Sequence, residues 1–441
     1  MTWTTRVLAD FILSAGQASW TAHQQAKRCL LDLLASAWAG GRTDSARILA
    51  ETALEVFSSG PSSLWFTGRR TAAAGAVLAN AAAASALDLD DGHRAAAGHP
   101  GAVIIPAVLA AAEETDSSSR EILSAVVLGY EVGCRVAAAR DLEQLVTLST
   151  GRWGGFGSAA AVGCLRRLKA DQLAQALAIA GVLSPDLAAA GYSRVMGNMV
   201  KEGIPWAAQT GLLAVRLAET GFTGPLDILD HPAHYRRERI LAGLGESWAV
   251  NEVYFKPYAC CRWIHAALDG FLGLVEENDL PAAEIEEVEV NTFERALRLN
   301  HYPDPDSLEA AQYSLPFCLA VAALAGPDAL LPLDEKLLRR PDLIAWARKV
   351  KLAVDPRLDR LFPSRSPARV VLQVKSKKYA REILDPRGDQ ANPLSPPELE
   401  AKFRKLSRAG LSPERQDEVI ALAAGFENHD PRRLLAVLRD G

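Results

Sequence analysis

Apolar residues recur at helical spacing through most of the first 240 residues of the chain. Residues 24–38 place Cys29, Leu30, Leu33 and Leu34 on one side of a predicted helix. Residues 72–87 are so rich in alanine that their helix must pack against neighbours on several sides. The same pattern predicts helices at residues 119–139, 157–167 and 171–188, the last of them capped by Asp171. We therefore predict a helical domain over residues 1–244.

The pattern changes after about residue 245, where short alternating segments stand between helices. Acidic residues alternate with valine at 286–292, as in a half-exposed strand. Two further segments, 368–375 and 378–384, are predicted to form a hairpin. Helices are predicted at 264–277 and 310–325, and again at 397–406, 413–424 and 431–440. The fold class predicted is mainly α with a smaller α+β domain: a large helical bundle, an α+β lid over residues 245–388, and a helical segment, 389–441, that returns to the bundle.

Composition excludes several classes of protein. The 441 residues are 49% hydrophobic and 23% charged, with a net charge of −5, which argues against a nucleic-acid partner. The first residues lack the apolar core of a signal peptide, and the alanine-rich runs are too interrupted for membrane spans. Six cysteines lie in apolar surroundings without a CxxC pair, so no zinc or iron–sulfur site is indicated. We expect a cytoplasmic protein with reduced thiols.

A polar segment at residues 85–106 interrupts this helical sequence. It holds three acids, Asp88, Asp90 and Asp91, and two histidines, His93 and His99, within twelve residues. The segment could be a capped helix boundary or an active site, because carboxylate and imidazole together can move a proton near neutral pH. His99 precedes a Pro-Gly pair and is predicted to lie on a loop.

Short motifs along nearly the whole chain resemble the MmgE/PrpD family, which includes 2-methylcitrate dehydratases, cis-aconitate decarboxylases and iminodisuccinate epimerases. Each motif is weak alone, but their order and spacing together make the resemblance specific. They lie at residues 86–91, 99–101, 129–132, 157–161, 199–201, 221–225, 256–258, 311–314, 386–389, 392–393 and 402–403, with Cys261 and His265 between them.

The resemblance implies a helical domain and a smaller α+β lid, assembled as a homodimer, with the site in the cleft between the two domains. It also implies a small-molecule carboxylate as substrate and no metal or organic cofactor. Such chemistry makes or quenches a carbanion next to a carboxylate, which requires a proton-transfer group and cations that stabilise the enediolate-like state.

Carried onto this sequence, the resemblance assigns three catalytic residues: Asp88, His99 and Lys201. Asp88 would orient His99 or bind a substrate hydroxyl, whereas Asp90 and Asp91 are interpreted as structural or solvated. Seven further residues are predicted to bind substrate: Lys256, His93, Tyr258, Cys261, Arg262, His265 and Arg152. Arg262 and His265 are expected on the first turns of a helix, where backbone N–H groups also favour an anion.

The chain also departs from the family pattern. Family histidines are missing near Leu148, Ile204 and Cys261, and the decarboxylase branch has a threonine where Gly92 stands and a tyrosine at about Phe317. Unpaired substrate carboxylates in a closed cleft would cost about 2–5 kcal/mol each. We therefore expect a substrate with fewer carboxylates, or a larger and more apolar one, than cis-aconitate or 2-methylcitrate.

Several functions stay open at this stage. A lyase is the leading hypothesis, with dehydration favoured over decarboxylation. An epimerase is the second, and it needs proton donors on both faces of the carbon. A relative that only binds a metabolite is the third. A divalent metal held by the acids and His93 is the least supported by the residues.

Overall fold

The computed structural model describes residues 2–15, 19–142, 145–185, 187, 193, 195 and 197–440. Over these residues the mainly α fold with a smaller α+β part is confirmed. Among them, no helix is both long enough and apolar enough to cross a membrane. The domain boundaries at 244 and 388 stay predictions.

The amino-terminal part is built from packed helices. Its helices are α1 (Thr4–Ser14), α2 (Trp20–Gly40), α3 (Asp44–Val56), α4 (Ala73–Ser85), α5 (Pro100–Ala112), α6 (Ser119–Ala138), α7 (Gly151–Leu165), α8 (Ala170–Leu183), α9 (Ile204–Glu219) and α10 (Arg237–Leu241). A hairpin that the sequence did not predict, β1 (Ser62–Leu64) with β2 (Arg69–Thr71), is inserted between α3 and α4. The predicted Asp171 cap is wrong, because Asp171 lies inside the first turn of α8 and Lys169 precedes that helix.

Glycine allows the central helices to approach closely. A Cβ added at Gly129 on α6 would lie 2.9 Å from the carbonyl oxygen of Gly157 on α7, and one at Gly157 would lie 2.8 Å from the carbonyl of Gly129. Only glycine fits at such a crossing. The start of α6 is fixed by a capping box of Ser118 and Glu121.

The lid combines a four-stranded sheet with helices. The elements are β4 (Val253–Tyr254), α11 (Arg262–Asn278), β5 (Ile285–Thr292), α12 (Leu308–Ala311), α13 (Leu315–Leu324), α14 (Pro341–Ala347), β6 (Val350–Val354), α15 (Pro356–Asp359), β7 (Ala368–Val374) and β8 (Lys377–Ile383). The strands of the sheet follow the order β6–β5–β7–β8, with β5–β6 parallel and the other pairs antiparallel. Apolar residues of β5 and β7 alternate inward, and α11 packs on that face.

The chain ends in three helices, α16 (Pro396–Ser407), α17 (Pro413–Ala424) and α18 (Pro431–Asp440). Helix α16 packs along α2 in the helical part. There the buried Lys402 ammonium lies 2.6 Å from the Asp32 carboxylate and donates to the Leu89 carbonyl, also at 2.6 Å. The carboxy-terminal helices therefore help to hold the loop that follows α4.

That loop contains the polar segment of the sequence. A two-stranded ribbon, β3 (Gly92–His93) with β4, joins it to the start of the lid. Asp91 accepts hydrogen bonds from the Gly101 N–H at 2.9 Å and the Tyr130 hydroxyl at 2.7 Å. Asp91 thus holds the start of α5, in agreement with its interpretation as structural. Burial, together with Asp32, raises the pKa of Asp91 to about 7.

Candidate active site

Asp88 is the centre of a buried group of charges where the helical part meets the lid. Its backbone is left-handed, with φ of 55°, which turns the chain out of α4. Lys201 Nζ lies 3.1 Å from Asp88 Oδ1, and Lys256 Nζ lies 3.1 Å from Oδ2. We call Asp88, Asp90, His99, Lys201 and Lys256 the Asp88 cluster. The structure brings all three predicted catalytic residues together in it.

Each lysine reaches Asp88 from a different part of the fold. Lys256 follows β4, in the first segment of the lid. Lys201 begins a short 3₁₀ turn before α9, where Lys201, Glu202 and Gly203 all have positive φ, of 43°, 56° and 70°. Non-glycine residues in this conformation cost free energy, and such conformations often occur at functional sites.

Burial and charge oppose each other at Asp88. Burial favours the neutral acid, but Lys201, Lys256 and His99 outweigh it and hold the pKa of Asp88 well below its usual range. Burial likewise disfavours the Lys256 ammonium, yet Asp88 raises the pKa of Lys256 above its ordinary value. Asp88 is therefore ionised and Lys256 is charged at neutral pH.

Asp90 orients His99, whereas the sequence suggested Asp88 for this role. Its Nδ1 lies 3.0 Å from Asp90 Oδ2, while Nε2 faces Asp88 Oδ1 at 3.6 Å and Glu202 Oε1 at 4.0 Å. Burial lowers the pKa of His99, but Asp90, with Asp88, outweighs burial and Lys256, so that the pKa is raised. The interpretation of Asp90 as merely structural is therefore wrong: it fixes the imidazole and favours its protonated form.

Other residues of the site were not predicted. Gln312 Oε1 accepts from Lys201 Nζ at 2.9 Å, and the Tyr313 ring lies 5.5 Å from the same ammonium. Both follow α12, since the helix predicted at 310–325 is broken before α13. The Glu202 carboxylate accepts a hydrogen bond from the Thr150 hydroxyl, and this hydroxyl accepts one from the backbone N–H of His99. Only the weak 311–314 motif signalled Gln312 and Tyr313 in the sequence.

Tyr254 lies against the acidic loop, although the sequence predicted Tyr258, not Tyr254, to bind substrate. The Tyr258 hydroxyl donates to Asp269 at 3.1 Å. Tyr254 pairs with Gly92 across the β3–β4 ribbon, and a Cβ at Gly92 would lie 2.3 Å from the Tyr254 hydroxyl oxygen. Tyr254 thus fills the space of the side chain that Gly92 lacks. Burial raises the pKa of Tyr254 to about 12 against the opposing effect of Lys256.

Arg262 and His265 lie in the first turns of α11, as expected. The Arg262 side chain, however, stabilises the loop at residues 386–389. Arg262 pairs with Asp389 at 2.8 Å and donates to the carbonyls of Pro386 and Arg387. His265 receives a hydrogen bond from Arg262 on Nδ1 and donates Nε2–H to a backbone carbonyl, so it is neutral. Burial, with Arg262, lowers the pKa of His265. These contacts indicate a structural role rather than the predicted substrate binding.

Two further residues were predicted to bind substrate: Cys261, which lies beside the cluster, and Arg152, which lies on α7. The Cys261 thiol is close enough to Asp88 and Lys256 to interact with their charges, and burial raises its pKa to about 12. It is therefore a neutral group beside the cluster. Arg152 lies on α7, and its charge acts on Arg140 and Tyr235. Its role in substrate binding stays a prediction.

His93 faces away from Asp88 and lines a separate cavity. Its Nδ1 accepts from the Ala96 N–H at 3.2 Å, and its Nε2 lies 3.6 Å from Glu252. The predicted placement in the substrate site is therefore not found. Within the described ranges, no group of three His, Cys, Asp or Glu side chains is arranged to hold a metal ion.

Comparison with known families places this geometry in context. The model of the MmgE/PrpD N-terminal domain matches residues 6–237, and that of the C-terminal domain matches residues 258–428. The chain belongs to the MmgE/PrpD family. The two matched segments meet at the Asp88 cluster: Asp88, His99 and Lys201 lie in the first segment, and Gln312, which accepts from Lys201, lies in the second.

Curated members of the MmgE/PrpD family are similar to this chain over most of its length. A cis-aconitate decarboxylase of Aspergillus terreus is 26% identical over 439 residues, covering 92% of this chain and 89% of the relative. The human cis-aconitate decarboxylase is 25% identical over 461 residues, covering 97% and 92%. A cis-aconitate decarboxylase-like protein, oryM, of Aspergillus oryzae is 29% identical, but covers only 56% of each chain.

Proposed function

We propose that this protein is a lyase that acts on a small carboxylate by proton transfer at the carbon next to a carboxylate group, without a cofactor. The observation that supports this most strongly is the His99 imidazole, held between Asp90 and Asp88 beside the ammonium groups of Lys201 and Lys256. A proton donor and two carboxylate-binding cations then share one buried site, as a carbanion reaction requires.

In this proposal the lysines bind the substrate and stabilise charge. Lys201 and Lys256 exchange part of their contact with Asp88 for a substrate carboxylate, whose negative charge increases as the carbanion delocalises into it. The site excludes water, since Lys256 is 1% and Asp88 is 2% exposed, and ionic interactions are strengthened there. Gln312 and Tyr313 keep Lys201 in place.

Decarboxylation is the reaction that we propose first. The bond between carbon and the departing carboxylate breaks, carbon dioxide leaves, and the electron pair stays on the carbon conjugated to the remaining carboxylate. His99 then gives its Nε2 proton to that carbon. The raised pKa of His99 loads the imidazole with this proton before the reaction begins. The relatives named cis-aconitate decarboxylase also support this order.

Dehydration, which the sequence favoured, is the second candidate function. Lys201 Nζ and His99 Nε2 both lie close to Asp88 Oδ1, at 3.1 and 3.6 Å. A neutral His99 could take a proton from one carbon while Lys201 gives a proton to the hydroxyl that leaves the neighbouring carbon. Adjacent base and acid are what this elimination needs.

We also propose that the substrate carries fewer carboxylates than cis-aconitate, or a larger apolar group. The neutral Cys261 thiol stands beside Asp88 and Lys256, where the decarboxylase pattern has a histidine. Because Lys256 already binds another substrate carboxylate in this proposal, a third carboxylate beside Cys261 would be buried without a cation of its own, at a cost of about 2–5 kcal/mol.

The test is turnover of a panel of small mono-, di- and tricarboxylates in deuterated water, followed by NMR and by carbon dioxide release. Decarboxylation predicts one carbon dioxide and one deuterium incorporated per turnover. Dehydration predicts an alkene without carbon dioxide, and epimerisation predicts the epimer with deuterium at the inverted carbon and neither alkene nor carbon dioxide. Efficient turnover of cis-aconitate or 2-methylcitrate would refute the changed substrate.

Two variants separate catalysis from stability. His99→Ala should lower the rate by about 10²–10⁴-fold, the usual contribution of a general acid. His231→Ala, at an exposed position, should leave the rate unchanged. If no carboxylate of the panel reacts while the protein binds one tightly, the lyase proposal is wrong and the chain is a binding protein.

We propose in addition that the protein is a homodimer. Helices α8 and α9 pack side by side, and exposed apolar residues lie on these helices and next to them: Leu183, Val200, Trp206, Leu213 and Phe222. Such a surface is typical of an interface between subunits. Leu213→Asp should convert the dimer to a monomer in light scattering, whereas Leu13→Asp on α1 should not. A monomeric wild type would refute the proposal.

A further inference from the structure

A cavity of about 700 Å³ lies beside the β3–β4 ribbon, and His93 and Tyr254 of that ribbon line it. The end of α6, the start of α10 and the lid also contribute to its wall. The described residues that line it do not include Asp88, His99, Lys201 or Lys256. Because five arginines line it, Arg94, Arg140, Arg236, Arg239 and Arg365, we call it the arginine cavity.

Arg140 is the buried cation of this cavity. Its side chain is 4% exposed, with Nε donating to the Ala137 carbonyl at 3.0 Å and Nη2 pointing to the Ala96 carbonyl at 3.4 Å. Over the described part of the chain, Nη1 has no hydrogen-bond partner and no carboxylate lies within ion-pairing distance. Burial lowers the pKa of Arg140 to about 10, so it is still charged at neutral pH. A buried cation of this kind is stabilised by an anion.

Arg236 and Arg239 also line the cavity, at the start of α10. The Arg236 N–H donates to the Ala139 carbonyl at 2.8 Å, which places Arg236 next to Arg140, and Arg239 follows one turn later on α10. Among the ion pairs of the described residues, neither has a carboxylate partner. Arg94 and Arg365, in contrast, pair with Asp389 and Asp385. Asp141 and Glu252 also line the cavity. Its five arginines therefore outnumber its four acids, and three of the arginines have no ion-pair partner among the described residues.

His93 adds a hydrogen-bond donor to the wall. Because Nδ1 accepts the Ala96 N–H, a neutral ring carries its proton on Nε2. This Nε2 is buried and has no hydrogen-bond partner within the described residues, and the nearest carboxylate, Glu252, is 3.6 Å away. A buried ring nitrogen that meets the Glu252 carboxylate only at 3.6 Å and a buried cation without an ion-pair partner among the described residues thus line one cavity, whose volume is that of a small-molecule site.

We propose that the arginine cavity binds a small organic anion with at least two acidic groups, at a site separate from the Asp88 cluster. Arg140 and His93 bind one acidic group deep in the cavity, and Arg236 and Arg239 bind the other at its mouth. The planar fork of arginine suits carboxylate and phosphate oxygens alike. The ligand class is therefore a polycarboxylate or a phosphate compound of similar size.

Calorimetric titration with citrate and with inorganic pyrophosphate tests this proposal. Wild type should bind at least one of them saturably, and Arg236→Ala/Arg239→Ala should raise its Kd at least tenfold. Arg216→Ala/Arg433→Ala is the matched control, since it removes two exposed arginines elsewhere and should leave Kd unchanged. Lys201→Met, which impairs the Asp88 cluster, should also leave Kd unchanged.

The outcomes separate the two ligand sources and the two sites. Binding of citrate alone assigns a polycarboxylate, and binding of pyrophosphate alone assigns a phosphate compound. The proposal is overturned if neither anion binds, if the Arg236→Ala/Arg239→Ala variant binds as tightly as wild type, or if Lys201→Met abolishes binding. Because these titrations measure binding only, their result is independent of whether the protein is a lyase.

Discussion

Replacement of Asp90 by asparagine should change the pH at which His99 gives up its proton. The Asp90 carboxylate lies 3.0 Å from His99 Nδ1, and both side chains are buried. A hydrogen bond to a charged group contributes about 1.5–3 kcal/mol. Since one pKa unit corresponds to about 1.4 kcal/mol, Asp90→Asn should lower the pKa of His99 by about 1–2 units.

The assay is the pH dependence of the rate, supported by an NMR titration of the labelled imidazole. If His99 is the proton donor, activity falls as pH rises through its pKa, so the alkaline limb of the profile moves to lower pH in Asp90→Asn. If His99 acts as a base, the acidic limb moves to lower pH instead. The limb that moves therefore distinguishes the decarboxylation proposal from dehydration.

Asp91→Asn is the matched control for this prediction. Asp91 belongs to the same acidic loop, but its carboxylate accepts from Gly101 and Tyr130 rather than from His99. Its replacement should leave both limbs in place. Coincident profiles of Asp90→Asn and wild type, or an unchanged NMR titration, would refute the role that we assign to Asp90.

Three further predictions concern stability. Gly92→Ala should destabilise the fold by about 1–3 kcal/mol in urea unfolding, because its Cβ would lie 2.3 Å from the Tyr254 hydroxyl. If this clash is the cause, adding Tyr254→Ala should restore part of the lost stability; an equally unstable double variant would refute the explanation. Lys402→Met should cost about 3–5 kcal/mol by leaving Asp32 buried without its cation, and Asp32→Asn in the same chain should restore part of that loss. Burial raises the pKa of Asp91 from 3.8 to about 7. The stability that protonated Asp91 contributes is therefore complete below about pH 4 and is lost as the pH rises to about 7. The Tm of Asp91→Asn should not show this loss, and an equal pH dependence of Tm in wild type and variant would contradict the prediction.

Much of the fold could be predicted from the sequence because long helices repeat their apolar positions many times. Helices α6, α17 and α18 lie within one residue of the predicted bounds. The β1–β2 hairpin was missed because its strands have three residues each, and β2 carries two arginines. The break between α12 and α13 was also missed, since the apolar residues on both sides of Gln312 keep the helical pattern.

The candidate site was predictable where its residues are close in sequence or carry a family motif. Asp88 and His99 lie on one loop, and Lys201 and Lys256 have recognisable neighbours. The position of Tyr254 against the acidic loop depends on the pairing of β4 with Gly92, which no local sequence pattern indicates. The role of Asp90 depended on which of three nearby acids contacts His99 Nδ1, and the local sequence does not indicate this.

The two lysines on Asp88 imply that a substrate enters by exchange rather than by addition. Both ammonium groups already have a counter-ion at 3.1 Å. An arriving carboxylate therefore competes with an internal anion, so the gain in binding free energy is the difference between two similar sets of ion pairs. The same competition helps the product to leave, because Asp88 recaptures the lysines as the product withdraws. The Asp88 carboxylate thereby makes the ion pairs that a substrate carboxylate would make, which weakens substrate binding and speeds product release.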